Sequence, residues 1–191
     1  MMMKLILGSA SKWRKQILDK AGIPVELMSP DIDERQFHDN DIKKLVLKIA
    51  NAKADALIKK IHEPAILITA DQMVVCGDEI FGKPNTSLKA KYFIKCYQKN
   101  PAYTITAVVV TNTETKKRIS GVDVVEIHFH PIPDDVVDQL ICHEDLLTCA
   151  GGFQIEDEKG ELNPYIKSIS GDIDSVKGLP VKLLKELIAQ C

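Results

Sequence analysis

The run 5-LILGSASKWRKQILDKAG-22 decides the fold class, because it carries a strand directly into a helix. Leu5–Leu7 is continuously apolar, as a buried strand is. Ser11 is a fitting N-cap, and the segment from there to about Lys20 bears an apolar stripe through Ile17, Leu18 and Ala21. Counting back three and four residues along that stripe lands on Arg14. A cation therefore sits in the first turn, on the core-facing side and at the positive end of the helix dipole. An anion resolves the conflict, since helix N-termini with free N–H groups bind phosphate well.

Outward from this unit, strands and helices keep alternating, which predicts an α/β fold. A short strand near Val25–Met28 leads into the acidic loop "SPDIDER", and Asp41 or a neighbour caps a long helix reaching about Ile61. "AILITA" (65–70) reads as a central apolar strand, and "MVVCGDEIF" as two short strands about a Gly-Asp turn. Thr86 to Gln98 is helical, and "YTITAVVVTN" with "RISGVDVVEIHF" makes a long antiparallel pair. A helix over Pro133–Ile141, a glycine loop at Ala150–Gly152, a strand near Tyr165–Ile169 and a helix from about Pro180 complete the chain. Its 191 residues make one domain spanning 1–191, or a single fold with two lobes.

Composition excludes several classes. A net charge of −2 argues against a protein that binds nucleic-acid polymers, whose footprint would be basic. The single basic run, Lys116-Lys117-Arg118, reads as a solvated hairpin turn. No segment approaches the ~20 apolar residues that span a membrane, so none is expected to. The start "MMMKLILGSA" lacks a signal-peptide layout. Five cysteines without paired spacing predict reduced thiols and a cytoplasmic protein. Cys142, His143 and Cys149 lack zinc-ligand spacing, and His128 with His130 reads as an exposed strand face.

Two further residues break the pattern. Ile42, Leu45, Val46, Ile49, Ala56 and Leu57 form one helical stripe, and Lys53 falls in its middle. Either this lysine snorkels out past its neighbours, or it points inward with an anionic partner, because an unpaired buried ammonium costs several kcal/mol. Asp71 follows "ILITA" directly, at what the pattern makes the carboxyl end of a central strand. That is where open α/β sheets bind ligands, although a turn aspartate ending a strand fits equally. Asp31, Asp33 and Glu34 supply loop carboxylates, and "FGKP" presents Lys83. Arg14, Lys53 and Lys83 with Glu34 and Asp71 form the inventory that a polyphosphate and a divalent metal require. Neither GxxxxGK[ST] nor GxGxxG is present.

"LGSASKWRKQIL", "DIDER", the lysine of "ANAKADAL", "TADQMVVCGDEIFGKP", "CAGGFQIE" and "DIDSVKGLPV" occur in that order. Together they resemble the motif set of the Maf family of nucleoside-triphosphate pyrophosphatases, over essentially the whole chain. The resemblance implies an inosine-triphosphate-pyrophosphatase-like fold, an extended mixed sheet with helices forming two lobes around a cleft. It also implies cleavage of a nucleoside triphosphate to monophosphate and pyrophosphate, dependent on a divalent cation, Mg²⁺ or Mn²⁺. Carried over by position, Ser9, Ser11 and Arg14 bind phosphate. Glu34, Lys53 and Lys83 are polar site residues, and Asp71 is the catalytic acidic residue. Glu34 and Asp71 would hold the metal, or Asp71 would deprotonate the attacking water. Homodimers are common in the family, so a homodimer is expected. The first motif usually has proline where this chain has Lys12, a change at the first helical position.

Around the base, members resembling dTTP/UTP pyrophosphatases carry Arg-Arg, Asp-Thr and a later Gln. This chain has Trp13-Arg14, Asp71-Gln72 and Glu156, which resemble the branch acting on 7-methyl-GTP. The chemistry agrees: N7-methylation makes guanine a cation, and an indole face attracts a cation. A carboxylate such as Glu156 accepts the two donors of the guanine edge, which a pyrimidine does not offer. The competing expectations are a dTTP/UTP or broader nucleotide pyrophosphatase, and a regulatory protein that binds nucleotides without hydrolysing them.

Overall fold

The computed structural model describes residues 3–152, 155 and 162–191. Among the described residues there are seven strands, β1 (Lys4–Gly8), β2 (Glu26–Leu27), β3 (Ala65–Cys76), β4 (Glu79–Phe81), β5 (Ala102–Asn112), β6 (Arg118–Phe129) and β7 (Ile166–Ser170). They hydrogen-bond in the order β2-β1-β3-β5-β6-β7, with β4 paired to β3. The helices are α1 (Lys12–Lys20), α2 (Ile42–Ile58), α3 (Ser87–Tyr97), α4 (Asp134–Leu140), α5 (Glu144–Leu147), α6 (Ile173–Val176) and α7 (Val181–Gln190). β1 runs parallel to β2 and β3, whereas β4 is antiparallel to β3 and β7 to β6, so the sheet is mixed as expected. No helix among the described residues is long and apolar enough to cross a membrane.

The chain divides into two compact units, the first made of Met1–Gln72, Thr106–Asp123 and Gly178–Cys191. Two of its helices start at side-chain caps: Ser11 accepts from Arg14 N–H on α1, and Asp41 accepts from Lys43 and Lys44 N–H on α2. β1 pairs with β3 from Lys4↔Ala65 to Gly8↔Thr69. Alternation along β3 then sends Ile66, Ile68 and Ala70 into a core with Leu7, Ile17, Leu18, Val108, Val110, Leu179 and Leu184. On the opposite face, the Thr69 hydroxyl donates to Ala50 O of α2 at 2.8 Å. Gly8 lets that helix come close, because a Cβ there would meet Leu57 Cδ1 at 2.5 Å and Thr69 Cγ2 at 2.6 Å.

Three expectations need correction in this unit. α2 ends at Ile58, and the turn beyond it is tightened by bonds from Lys60 N to Leu57 O and from Ile61 N to Ile58 O. The central strand does not stop at Ala70: it runs through Asp71 and Gln72 to Cys76, because the Asp71 charge is met by a lysine and need not end the strand. The run Lys116–Arg118 is solvated only in part. Lys116 takes φ 62° in the turn, but Arg118 pairs with Asp55 at 2.7 Å and donates to Asn51 at 3.2 Å.

The second unit comprises Met73–Ile105 and Val124–Lys177. Its hairpin pairs Val74↔Phe81 and Cys76↔Glu79 about Gly77-Asp78, and Gly77 adopts φ 59° at the first central position, where a type II′ turn wants glycine. Phe81 stacks on Phe93 of α3 with centroids 4.0 Å apart, and Tyr97 closes on Phe129 at 5.6 Å. Gly151 N donates to Gly82 O at 3.1 Å and Tyr97 OH to Gly151 O at 2.6 Å. The segments "FGKP" and "CAGG", far apart in sequence, are thus neighbours. The five cysteines form no disulfide.

Candidate active site

The long helix delivers Lys53 inward. The helical period that buries Leu45, Val46, Ile49, Ala50, Ala54 and Leu57 also buries this lysine, which is 6% exposed. Its Nζ lies 2.7 Å from Asp71 Oδ1, 2.8 Å from Glu34 Oε1 and 3.4 Å from Ala70 O. Snorkelling is ruled out, and the anionic partner is a pair of carboxylates. Asp71 is itself 6% exposed and lies two residues beyond Thr69 on the same face of β3, so the helix that meets Thr69 at Ala50 meets Asp71 at Lys53. Glu34 comes from a 3₁₀ turn, Glu34–Gln36, whose N-cap Asp33 accepts from Arg35 N–H at 3.2 Å. Its side chain stays 54% exposed, so the pair is buried on one side and open on the other.

Arg14 also faces inward, and in this structure its partners are main-chain carbonyls. Nη1 donates to Ala70 O at 2.7 Å and Nε to Gly178 O at 3.0 Å. Ala70 O therefore receives both Arg14 and Lys53, and it brings the two cations to the residue that precedes Asp71. Burial pushes the Asp71 carboxyl above the ordinary carboxylate range; Lys53 and Arg14 pull it back, and Glu34 adds to the rise. Burial likewise draws the Arg14 guanidinium down, against the attraction of Asp71 and Glu34.

Ser9 and Ser11 are linked, Ser9 Oγ accepting from Ser11 N–H at 3.1 Å while Ser11 Oγ caps α1 at Arg14 N–H, 3.4 Å away. Trp13 is half-buried on the same turn, and Lys12 Nζ stands 4.6 Å from its ring centroid. Gln72 Nε2 donates to Thr106 Oγ1 at 3.0 Å. Lys83 belongs to the second unit, where it is exposed on the loop after β4 and makes no ion pair among the described residues. Glu156 lies outside the described residues. The structure thus joins Arg14, Glu34, Lys53 and Asp71, and it does not include Lys83 in their hydrogen-bonded cluster.

The carbonyl partners of Arg14 and the Thr106 partner of Gln72 were not visible in the sequence. Gly178, at φ 121°, has a trace there, as a glycine just before Leu179-Pro180. For a metal, the donor set is two carboxylates, and no group of three or more His, Cys, Asp or Glu with metal-holding geometry exists among the described residues. That suits Mg²⁺, which takes one or two carboxylates from a protein and completes its shell with water and substrate phosphates.

The fold and this cluster define a mixed α/β protein whose site holds a buried ammonium between two carboxylates, with a guanidinium anchored beside them. The chain belongs to the family described as Maf-like protein, whose profile matches residues 4–191. It is 40% identical over 193 residues to a 7-methyl-GTP pyrophosphatase of Dictyostelium discoideum, covering 97% of this chain and 96% of the relative. A 7-methyl-GTP pyrophosphatase of Vibrio vulnificus is 30% identical, covering 98% and 94%. A dTTP/UTP pyrophosphatase of Chlamydia trachomatis is also 30% identical, covering 98% and 93%. A solved dITP/XTP pyrophosphatase from Mycobacterium abscessus aligns over 98% of this chain and 97% of its own, with TM-score 0.40 and 11% identity.

Proposed function

We propose that this chain is a nucleoside-triphosphate pyrophosphatase that hydrolyses 7-methyl-GTP to 7-methyl-GMP and pyrophosphate. The observation that carries the chemistry is the buried lysine held between Asp71 and Glu34 with Arg14 adjoining, since such a site is costly to build without a charged ligand to serve. Water attacks the α-phosphorus, the bond from that phosphorus to the bridging oxygen of the β-phosphate breaks, and pyrophosphate departs with the electron pair. Asp71 takes the proton of the attacking water: Lys53 holds Oδ1, and Oδ2 has no partner among the described residues. A carboxyl that burial makes more basic, while two cations favour its ionised form, suits that task. Arg14 and Lys53 stabilise charge gathering on the leaving group, and Lys83 and the Ser9 hydroxyl add contacts to the triphosphate. In the alternative role of Asp71, it and Glu34 would hold a divalent cation, Mg²⁺ or Mn²⁺, which would supply charge neutralisation at the phosphates.

For the base, the support is Trp13, beside Arg14 and already facing a cation at 4.6 Å, together with the names of relatives. A methylated guanine is a cation that takes such a position, and Gln72 and Glu156 would complete its pocket. The working form in this reading is a homodimer, which sedimentation would test directly.

Pyrophosphate release from 7-methyl-GTP, GTP, dTTP, UTP and CTP, with and without Mg²⁺ or Mn²⁺, tests the whole reading. Turnover of 7-methyl-GTP well above the others, dependent on metal and lost in Asp71→Asn, is the expected outcome. Preference for dTTP or UTP would keep the chemistry and remove the base assignment. Nucleotide binding without release from any of them would make the chain a sensor.

A further inference from the structure

Three cations occupy the start of α1, and no acidic residue stands in its first turn. Arg14 is committed to Ala70 O and Gly178 O, and Lys15 is paired with Asp19. Lys12, the first residue of the helix, is exposed, and its ammonium stands over the indole of Trp13. An indole is the aromatic face that attracts a cation best. The ring quadrupole that Lys12 faces is the same feature that would hold a positively charged base.

We propose that Lys12 is a specificity-determining residue that competes with the substrate for the Trp13 ring. This rests on the reading of Trp13 as the platform for a cationic nucleobase. A methylated guanine entering the site must displace the Lys12 ammonium or share the ring with it, and it loses affinity by either route. A neutral guanine gains less from the ring, so it loses less to the competition. Lys12 therefore narrows the preference for a cationic base over a neutral one, and its removal widens it.

Trp13 is the only tryptophan in the chain, so its fluorescence reports on its own surroundings. The probes are 7-methylguanosine and guanosine, which carry no phosphate and so do not register any attraction between Lys12 and a triphosphate. Titrations compare the unmodified chain with Lys12→Met and with Lys12→Pro, proline being compatible with the first position of a helix. Lys15→Met removes a nearby charge that is not over the ring.

The expected result is quenching by 7-methylguanosine, with Kd lowered about two- to fivefold in both Lys12 variants, the range an exposed cation–π contact implies. Guanosine binding shifts less, and Lys15→Met leaves both probes unmoved. Quenching with an unchanged or raised Kd in the Lys12 variants overturns the competition while leaving Trp13 as the platform. An equal gain in Lys15→Met reduces the effect to general charge repulsion and also overturns it. No quenching in a chain that turns over 7-methyl-GTP removes the platform, and the proposal with it.

Discussion

Replacing Asp71 by alanine takes from Lys53 the partner at 2.7 Å and leaves it Glu34 at 2.8 Å and the Ala70 carbonyl at 3.4 Å. Breaking a buried pair by removing one member costs ~3–5 kcal/mol, because the surviving charge stays buried without compensation. Glu34 is more than half exposed, so water screens the partner that remains, and its presence brings the expected loss to about 3 kcal/mol, the lower end of that range. Lys53→Met alone costs less at about pH 5 than at about pH 8, since a buried carboxyl without its cation escapes by taking up a proton. The double variant, Lys53→Met with Asp71→Ala, removes both charges and should lie within about 1 kcal/mol of the unmodified protein. The two changes are then non-additive by at least about 2 kcal/mol, as expected of residues in contact. Urea unfolding followed by Trp13 fluorescence measures all four proteins on one scale. A coupling below about 0.5 kcal/mol would mean that the pair carries no mutual stabilisation, and the account of Lys53 as a buried partner would fail.

Activity and stability should respond to pH in opposite senses around Asp71. Folding raises its carboxyl above the unfolded value, so the folded state holds the proton more tightly and stability falls as pH rises from about 4 through the raised value. Turnover rises across the same window as the base ionises; Glu34→Gln should move that limb to lower pH, and a limb that stays in place or moves up counts against the assignment. Arg14→Lys loses the fork that reaches Ala70 O and Gly178 O and should cost about 1.5–3 kcal/mol by thermal or chemical unfolding, with no rescue from the retained charge. Gly8→Ala drives a methyl into Leu57 and Thr69, costing ~1–3 kcal/mol and lowering kcat by displacing α2, which carries Lys53. Lys83→Ala, at an exposed loop position, should leave stability within about 0.5 kcal/mol while raising KM for the triphosphate; an unchanged KM would remove Lys83 from the site.

The features legible in the sequence were those in which a residue contradicts its surroundings. Arg14 opposes a helix dipole and Lys53 interrupts an apolar stripe; Arg14 proves to be a half-buried hydrogen-bond donor and Lys53 a buried ion-pair partner. Caps were equally readable, because Ser11 and Asp41 each satisfy N–H groups that have no other local acceptor. The course of β3 was misread for the same reason: a carboxylate after "ILITA" looks like an end until its lysine, eighteen residues earlier, is brought to it. Carbonyls have no signature, so the partners of Arg14 at Ala70 and Gly178 could not be foreseen from side-chain types. The short helices α5 and α6 also gave no sign, since four residues are too few for a period to show.

The bond from Arg14 to Gly178 has a consequence for the order in which the protein comes into being on the ribosome. The second unit is complete in sequence at Lys177, whereas the first waits for Gly178–Cys191. During synthesis, Arg14 can be joined to Gly178 only after the chain has grown a further 164 residues. Until then, Leu7, Ile17, Leu18, Ile66 and Ile68 lack the covering of Leu179, Val181, Leu184 and Leu187. The emerging chain therefore carries an apolar surface that stays uncovered until Leu179–Leu187 have been made, a state in which chaperones have most to bind and truncated products most to lose.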